Sequence, residues 1–127
     1  MILIKGGTRK QRNLAYAAAE FACKQLFPRH SAYEVWVDLK HDTDTALGWC
    51  WEEDSRVYRV EINKKLLGDE FLTTIFHEFV HVRQYLKKQF GIGVVSYETH
   101  EEYMELPYEK EAYELQEVLL DKWKNNV

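Results

Sequence analysis

Five residues in the middle of the chain, His77-Glu78-Phe79-Val80-His81, have the types and spacing for metal chemistry. On a helix, positions four apart lie one above the other, about 6 Å apart, so both imidazoles can reach a single ion. The carboxylate after the first histidine is turned around the same side, within reach of a water bound to that ion. Neutral imidazole binds Zn²⁺ well, the ion brings the pKa of its water to about 7, and a glutamate can take the released proton. The flanking Phe71, Leu72, Ile75, Phe76, Phe79, Val80 and Val82 predict a largely buried helix. Two histidines and a glutamate are awkward there without a compensating role. Zn²⁺ is therefore the expected cofactor, His77 and His81 its expected ligands, and Glu78 the expected catalytic base.

A catalytic zinc usually has three protein ligands and a water in the fourth position. The chain has Gln84 and Lys87 where the extended metzincin pattern requires Gly and His, so the third ligand must come from further on. Glu109, Glu111 and His100 are the candidates. The two glutamates lie on opposite flanks of the apolar face of a predicted C-terminal helix, and amphipathicity does not choose between them. Glu109 is followed at i+4 by Tyr113, whose hydroxyl could hydrogen-bond to a ligand, whereas Glu111 is followed by Leu115. His100 falls in an acidic stretch with Glu98, Glu101 and Glu102.

The elements that must position these residues are legible in outline. Leu14, Ala18, Phe21, Ala22 and Leu26 recur at helical spacing over residues 8–27, with Pro28 just beyond. Gly6-Gly7 ahead of them reads as a turn. Tyr33, Val35 and Val37 share one side of an extended segment, and Glu34, Trp36 and Asp38 the other. Turn chemistry over residues 41–45 and 52–55 separates this strand from two more, residues 46–51 and 56–62. Short turns suggest an antiparallel meander, because a parallel pairing needs a long crossover. In the second of these strands Trp49 and Trp51 alternate with Cys50 and share a side, where core packing is expected. Residues 68–70 open the helix that carries the histidines, and Gly91 is its expected end. The chain is then irregular up to Pro107, which suits the first position of a last helix. On that helix Tyr108, Ala112, Leu115, Leu119 and Trp123 fall on one face. The order is helix, three strands, helix, loop, helix: an α+β arrangement.

Taken together, His77-Glu78-Phe79-Val80-His81 and Pro107-Tyr108-Glu109-Lys110-Glu111-Ala112-Tyr113 resemble the minimal gluzincin metallopeptidases. The likeness is to short phage and bacterial zincins in which a His-Glu-x-x-His helix is followed by a Glu-x-x-Ala helix. It covers Asp69 to Gln116. By position it makes Glu109 the third zinc ligand, and Tyr113 stands where that family often has Asp or Asn. A second likeness, to SprT-like zincins, points instead to a third histidine, His100. The resemblance implies a zincin-like fold in one domain over residues 1–127. It also implies a peptide or protein substrate and hydrolysis by metal-activated water, with Glu78 delivering the proton to the leaving amine. In such proteins an edge strand beside the metal helix pairs with extended substrate, and the strand over residues 56–62 is the natural candidate. Tyr85, Tyr97, His100 and Tyr103 are near enough in sequence to donate to an oxyanion, although packing is the expected role of each tyrosine.

Composition narrows the remaining classes. At 127 residues the chain predicts one domain, and 46% hydrophobic with 30% charged residues fits a globular protein rather than a disordered one. The net charge of -4 argues against nucleic-acid binding, which needs a basic surface. No apolar run approaches the roughly 20 residues of a membrane span, and Met1-Ile2-Leu3-Ile4 is too short for a signal peptide, so a cytoplasmic protein is expected. Cys23 and Cys50 fit no metal or redox spacing and read as reduced, partly buried residues. His30 and His41 read as solvated loop residues. The expected function is a zinc-dependent peptidase. The alternative is a catalytically silent zinc-binding domain for a protein or peptide partner, against which Glu78 weighs, because a structural zinc prefers four closed ligands and has no use for a base.

Overall fold

A computed structural model describes residues 1–40, 47–88 and 106–125. These form a mixed α+β arrangement of a four-stranded sheet and three helices, in the order β1 (Ile2–Gly6), α1 (Arg9–Leu26), β2 (Glu34–Lys40), β3 (Gly48–Asp54), β4 (Val57–Asn63), α2 (Gly68–Leu86) and α3 (Pro107–Asn125). The expected turns at residues 41–45, Gly91 as the end of α2, and His41 lie outside the described residues.

The sheet differs from the expected three-stranded meander. It has a fourth strand, β1, and the order β1-β2-β4-β3. β1 pairs parallel with β2, β2 pairs parallel with β4, and only β3 and β4 are antiparallel. The apolar Ile2-Leu3-Ile4 is long enough for an edge strand, and α1 supplies the crossover that a parallel β1–β2 pairing needs. β4 takes the middle because its inward side chains, Tyr58, Val60 and Ile62, are all at most 1% exposed. β3 carries Glu52, Glu53 and Asp54 at its end and stays at the edge, where charge discourages further strand pairing. Trp49 and Trp51 do share a side, as their alternation predicts, but that side faces solvent (56% and 37% exposed) rather than the core.

The opposite face of the sheet presents Val35, Val37, Leu39, Tyr58, Val60 and Ile62 to the helices. α1 starts on a capping box in which Thr8 and Gln11 satisfy each other's backbone N–H. Its Ala15, Ala18, Ala19 and Ala22 are at most 1% exposed, a surface of small side chains against the core. α2 lies between the sheet and α3. Phe21 of α1, Phe76 of α2 and Trp123 of α3 meet with ring centroids 5.4–6.1 Å apart, so one aromatic cluster ties the three helices together. Lys124 Nζ bonds Asp69 Oδ2 at 2.5 Å, joining the last turn of α3 to the first of α2. Of the expected inner face of α3, Ala112 and Leu119 are buried, Leu115 and Trp123 pack against the core, and Tyr108 is half-buried beside His81. No helix among the described residues is long and apolar enough to cross a membrane.

Two predictions follow from the packing of the N-terminal half. Gly6 ends β1 at φ +87°, and a Cβ there would sit 2.3 Å from the Leu39 carbonyl oxygen. Gly6→Ala should therefore cost at least about 1–3 kcal/mol, measured by denaturant unfolding. Burial, partly offset by a hydrogen bond with Tyr33, pushes the Cys23 thiol up to about 11. The native protein should leave Cys23 unmodified by alkylating agents at neutral pH, and mass spectrometry after denaturation should show it reactive.

Candidate metal centre

α2 is buried nearly all round over its central turns, and that burial carries their polar residues out of water. His77, Glu78 and His81 are 8%, 6% and 6% exposed. The two imidazoles, one turn apart, meet edge-on with centroids 4.9 Å from each other. Pro107 starts α3 beside them, and Glu109, in its first turn and 4% exposed, points between the two rings. Glu109 Oε2 lies 3.1 Å from His77 Nε2 and Glu109 Oε1 lies 2.9 Å from His81 Nε2. One ligand atom from each of the three residues falls within 4.8 Å of the others.

Proton positions follow from the partners behind the rings. Gln116 Oε1 lies 2.8 Å from His77 Nδ1, and Gln84 Oε1 lies 2.7 Å from His81 Nδ1. Both amides are oriented by their other ends. Gln84 Nε2 donates to the Tyr108 carbonyl at 2.9 Å and to Glu111 Oε1 at 3.0 Å, and Gln116 Nε2 donates to Glu117 Oε1 at 3.2 Å. The amide oxygens therefore face the imidazoles and accept from Nδ1–H of each. A neutral ring so held turns the lone pair of Nε2 toward the carboxylate of Glu109, acceptor against acceptor. Such a cluster is complete only with protons on Nε2 or with a cation among the three residues. Two neutral nitrogens and one carboxylate oxygen form a donor set suited to Zn²⁺, and the residues fit that ion.

The carboxylates are tuned in opposite directions. Burial alone would push Glu109 up, but hydrogen bonds with His77 and His81 and their charge outweigh it and hold Glu109 at about 2. It is an anion throughout the neutral range. Burial, with Glu109's charge adding to it and His77 opposing, raises Glu78 to about 8. Glu78 projects toward β3, where a Cβ on Gly48 would lie 3.0 Å from Glu78 Oε2, from the Glu61 carbonyl oxygen and from Thr74 Cγ2. A side chain at this position would crowd the carboxylate unless Glu78 or Thr74 gave way by a few tenths of an ångström. Cys50, two residues on, is held well above its ordinary value by burial and by the charges of Glu78 and Glu109, and so stays a thiol.

The expected residues His77, His81 and Glu109 thus come together, with Glu78 at their side. Glu111 does not join them and instead accepts from Gln84. His100, Tyr97 and Tyr103 lie outside the described residues. Tyr113 does not act as the expected hydroxyl partner of the third ligand: its ring meets His77 edge-on at 4.6 Å between centroids. Tyr85 stacks on Tyr58 at 5.8 Å and its hydroxyl bonds the Glu52 backbone, and His30 is a half-exposed loop residue against Phe27. The edge strand next to α2 is β3, not the strand over residues 56–62, because β4 is flanked by β2 and β3. Gln84 and Gln116 were not expected behind the imidazoles. Their signal was spacing: Gln84 is three residues after His81, and Gln116 is seven after Glu109, two turns along the same face.

Comparison with protein-family models, with the curated proteins and with the solved structures gave no match. Metal analysis tests the cluster directly. The wild-type protein should take up one equivalent of Zn²⁺ and unfold at a higher temperature with it, whereas His81→Ala and Glu109→Ala should lose both the metal and the shift. Full zinc occupancy in either variant would remove the assignment.

Proposed function

We propose that the chain is a zinc-dependent peptidase of zincin-like architecture, resembling the minimal gluzincins, that hydrolyses peptide bonds with Glu78 as general base. The observation that carries this reading is the dry convergence of His77 Nε2, His81 Nε2 and both oxygens of Glu109, with a separate buried carboxylate beside them. A purely structural site favours four protein ligands. Among the described residues this cluster has three, and its neighbouring Glu78 has no place in a structural site.

His77, His81 and Glu109 would hold Zn²⁺, which when bound supplies Lewis acidity and lowers the pKa of a coordinated water toward neutrality. The protein's own groups divide the rest of the work. Glu109 keeps its negative charge, which favours a cation between the imidazoles. Glu78 would receive a proton from water and return it to the departing amine; burial favours its neutral form, and the charge of a bound cation would favour the ionised form that receives a proton. Gly48 lets the backbone of β3 approach that carboxylate. An extended peptide adding to the outer edge of β3 would lie along the same side of the site, with main-chain hydrogen bonds supplying affinity and alternate side chains supplying selectivity. A peptide or protein substrate therefore suits the geometry better than a compact small molecule.

Glu78→Gln tests the catalytic part of the reading. The variant should bind zinc as the wild type does and lose about 10²–10⁴-fold in turnover of a broad peptide library. Undiminished hydrolysis by Glu78→Gln would exclude the base, and zinc uptake by the wild type with no cleavage of any library member would favour the silent binding domain.

A further inference from the structure

Gln84 is 1% exposed, the most deeply buried polar side chain among the described residues, and it belongs to neither the ligands nor the base. Its two ends reach different helices. Oε1 accepts from His81 Nδ1, on the same helix one turn back, at 2.7 Å. Nε2 crosses to α3 and donates to the Tyr108 carbonyl at 2.9 Å and to Glu111 Oε1 at 3.0 Å. Those two acceptors bracket Glu109 in sequence. One side chain thus runs from a ligand on α2 to the turn of α3 that presents the other helix's ligand.

We infer that Gln84 is a positioning residue that sets His81 and Glu109 relative to each other, fixing the ring's tautomer at one end and the start of α3 at the other. The inference rests on the metal-site reading given above. Only an amide suits the place. It carries an acceptor and a two-hydrogen donor on one planar group, whereas a carboxylate accepts only and would face Glu111 as a buried like charge. An apolar residue of the same length would leave the Tyr108 carbonyl and the His81 N–H without this buried partner. Gln116 makes a simpler contrast: it backs His77 alone, is half-exposed, and its amide nitrogen turns to Glu117 on its own helix. The position of Glu109, and with it the metal affinity, depends on Gln84 in a way that the local sequence of α3 does not provide.

The test measures Zn²⁺ affinity by competition with a chromogenic chelator, together with the visible absorption of the Co²⁺-loaded protein, whose bands report ligand geometry. Gln84→Met, with helical content checked by circular dichroism, should bind zinc about 10–100-fold more weakly and shift the Co²⁺ bands. Gln84→Glu should be weakened as well, because it cannot donate and repels Glu111. Combining Gln84→Glu with Glu111→Gln restores a donor opposite an acceptor at position 111, though not at the Tyr108 carbonyl, and should recover part of the lost affinity. Wild-type affinity and an unchanged Co²⁺ spectrum in Gln84→Met would overturn the inference. So would a double variant that binds no better than Gln84→Glu, and that comparison decides the matter alone if Gln84→Met does not fold. Failure of the wild type to bind zinc is a separate result, which removes the metal site itself.

Discussion

Two imidazoles and a carboxylate that need protons or a cation among them are pressed together out of solvent, and the rest of the molecule is arranged around that cost. His77 Nε2, His81 Nε2 and the carboxylate of Glu109 meet at 2.9–3.1 Å across the α2–α3 contact. Left to themselves these groups would separate or turn outward, because a buried lone pair without a donor is expensive. They are held by two kinds of restraint. Apolar packing of α2 between the sheet and α3, with Phe21, Phe76 and Trp123 joining the helices, fixes the distance between the backbones. The amides of Gln84 and Gln116 fix the rings.

The same burial that makes the cluster costly sets the chemistry beside it. Glu78 and Glu109 are neighbouring carboxylates in one dry region, yet burial raises the first to about 8 while bonds to two imidazoles hold the second at about 2. At neutral pH one is an anion, and the other holds its proton unless a cation beside it draws the proton off. Such a division of two like groups by their surroundings is what acid–base work at a site requires. The edge strand contributes by what it lacks: Gly48 has no side chain, so the backbone of β3 reaches the carboxylate.

Fold and site were legible in the sequence to different depths. The helices were readable because each combines a periodic apolar face with local stop signals, as with Pro28 after α1 and Pro107 at the head of α3. The alternation of Val35 and Val37 against Trp36 and Asp38 located β2 and its faces. Strand pairing was not readable. β1, β2 and β4 pair in parallel across sequence separations that leave no local trace, and the short turns around β3 suggested a meander that the central placement of β4 rules out. The exposed Trp49 and Trp51 show the same limit: alternation told which residues share a side, but only the sheet's position told which side meets water.

Sequence alone determined the chemistry available, because His77, Glu78 and His81 lie within one helical turn and a helix is a local structure whose geometry fixes their spacing. It also put Glu109 among the candidates for the third position, on a helix of known phase. Tertiary structure decided that Glu109 and not Glu111 faces the histidines, since two helix flanks are equivalent until a neighbour packs on one of them. It also decided the partners behind the rings and the strand beside the base. Those are contacts between segments tens of residues apart, set by how α2, α3 and the sheet share one core, and no short stretch of chain encodes them.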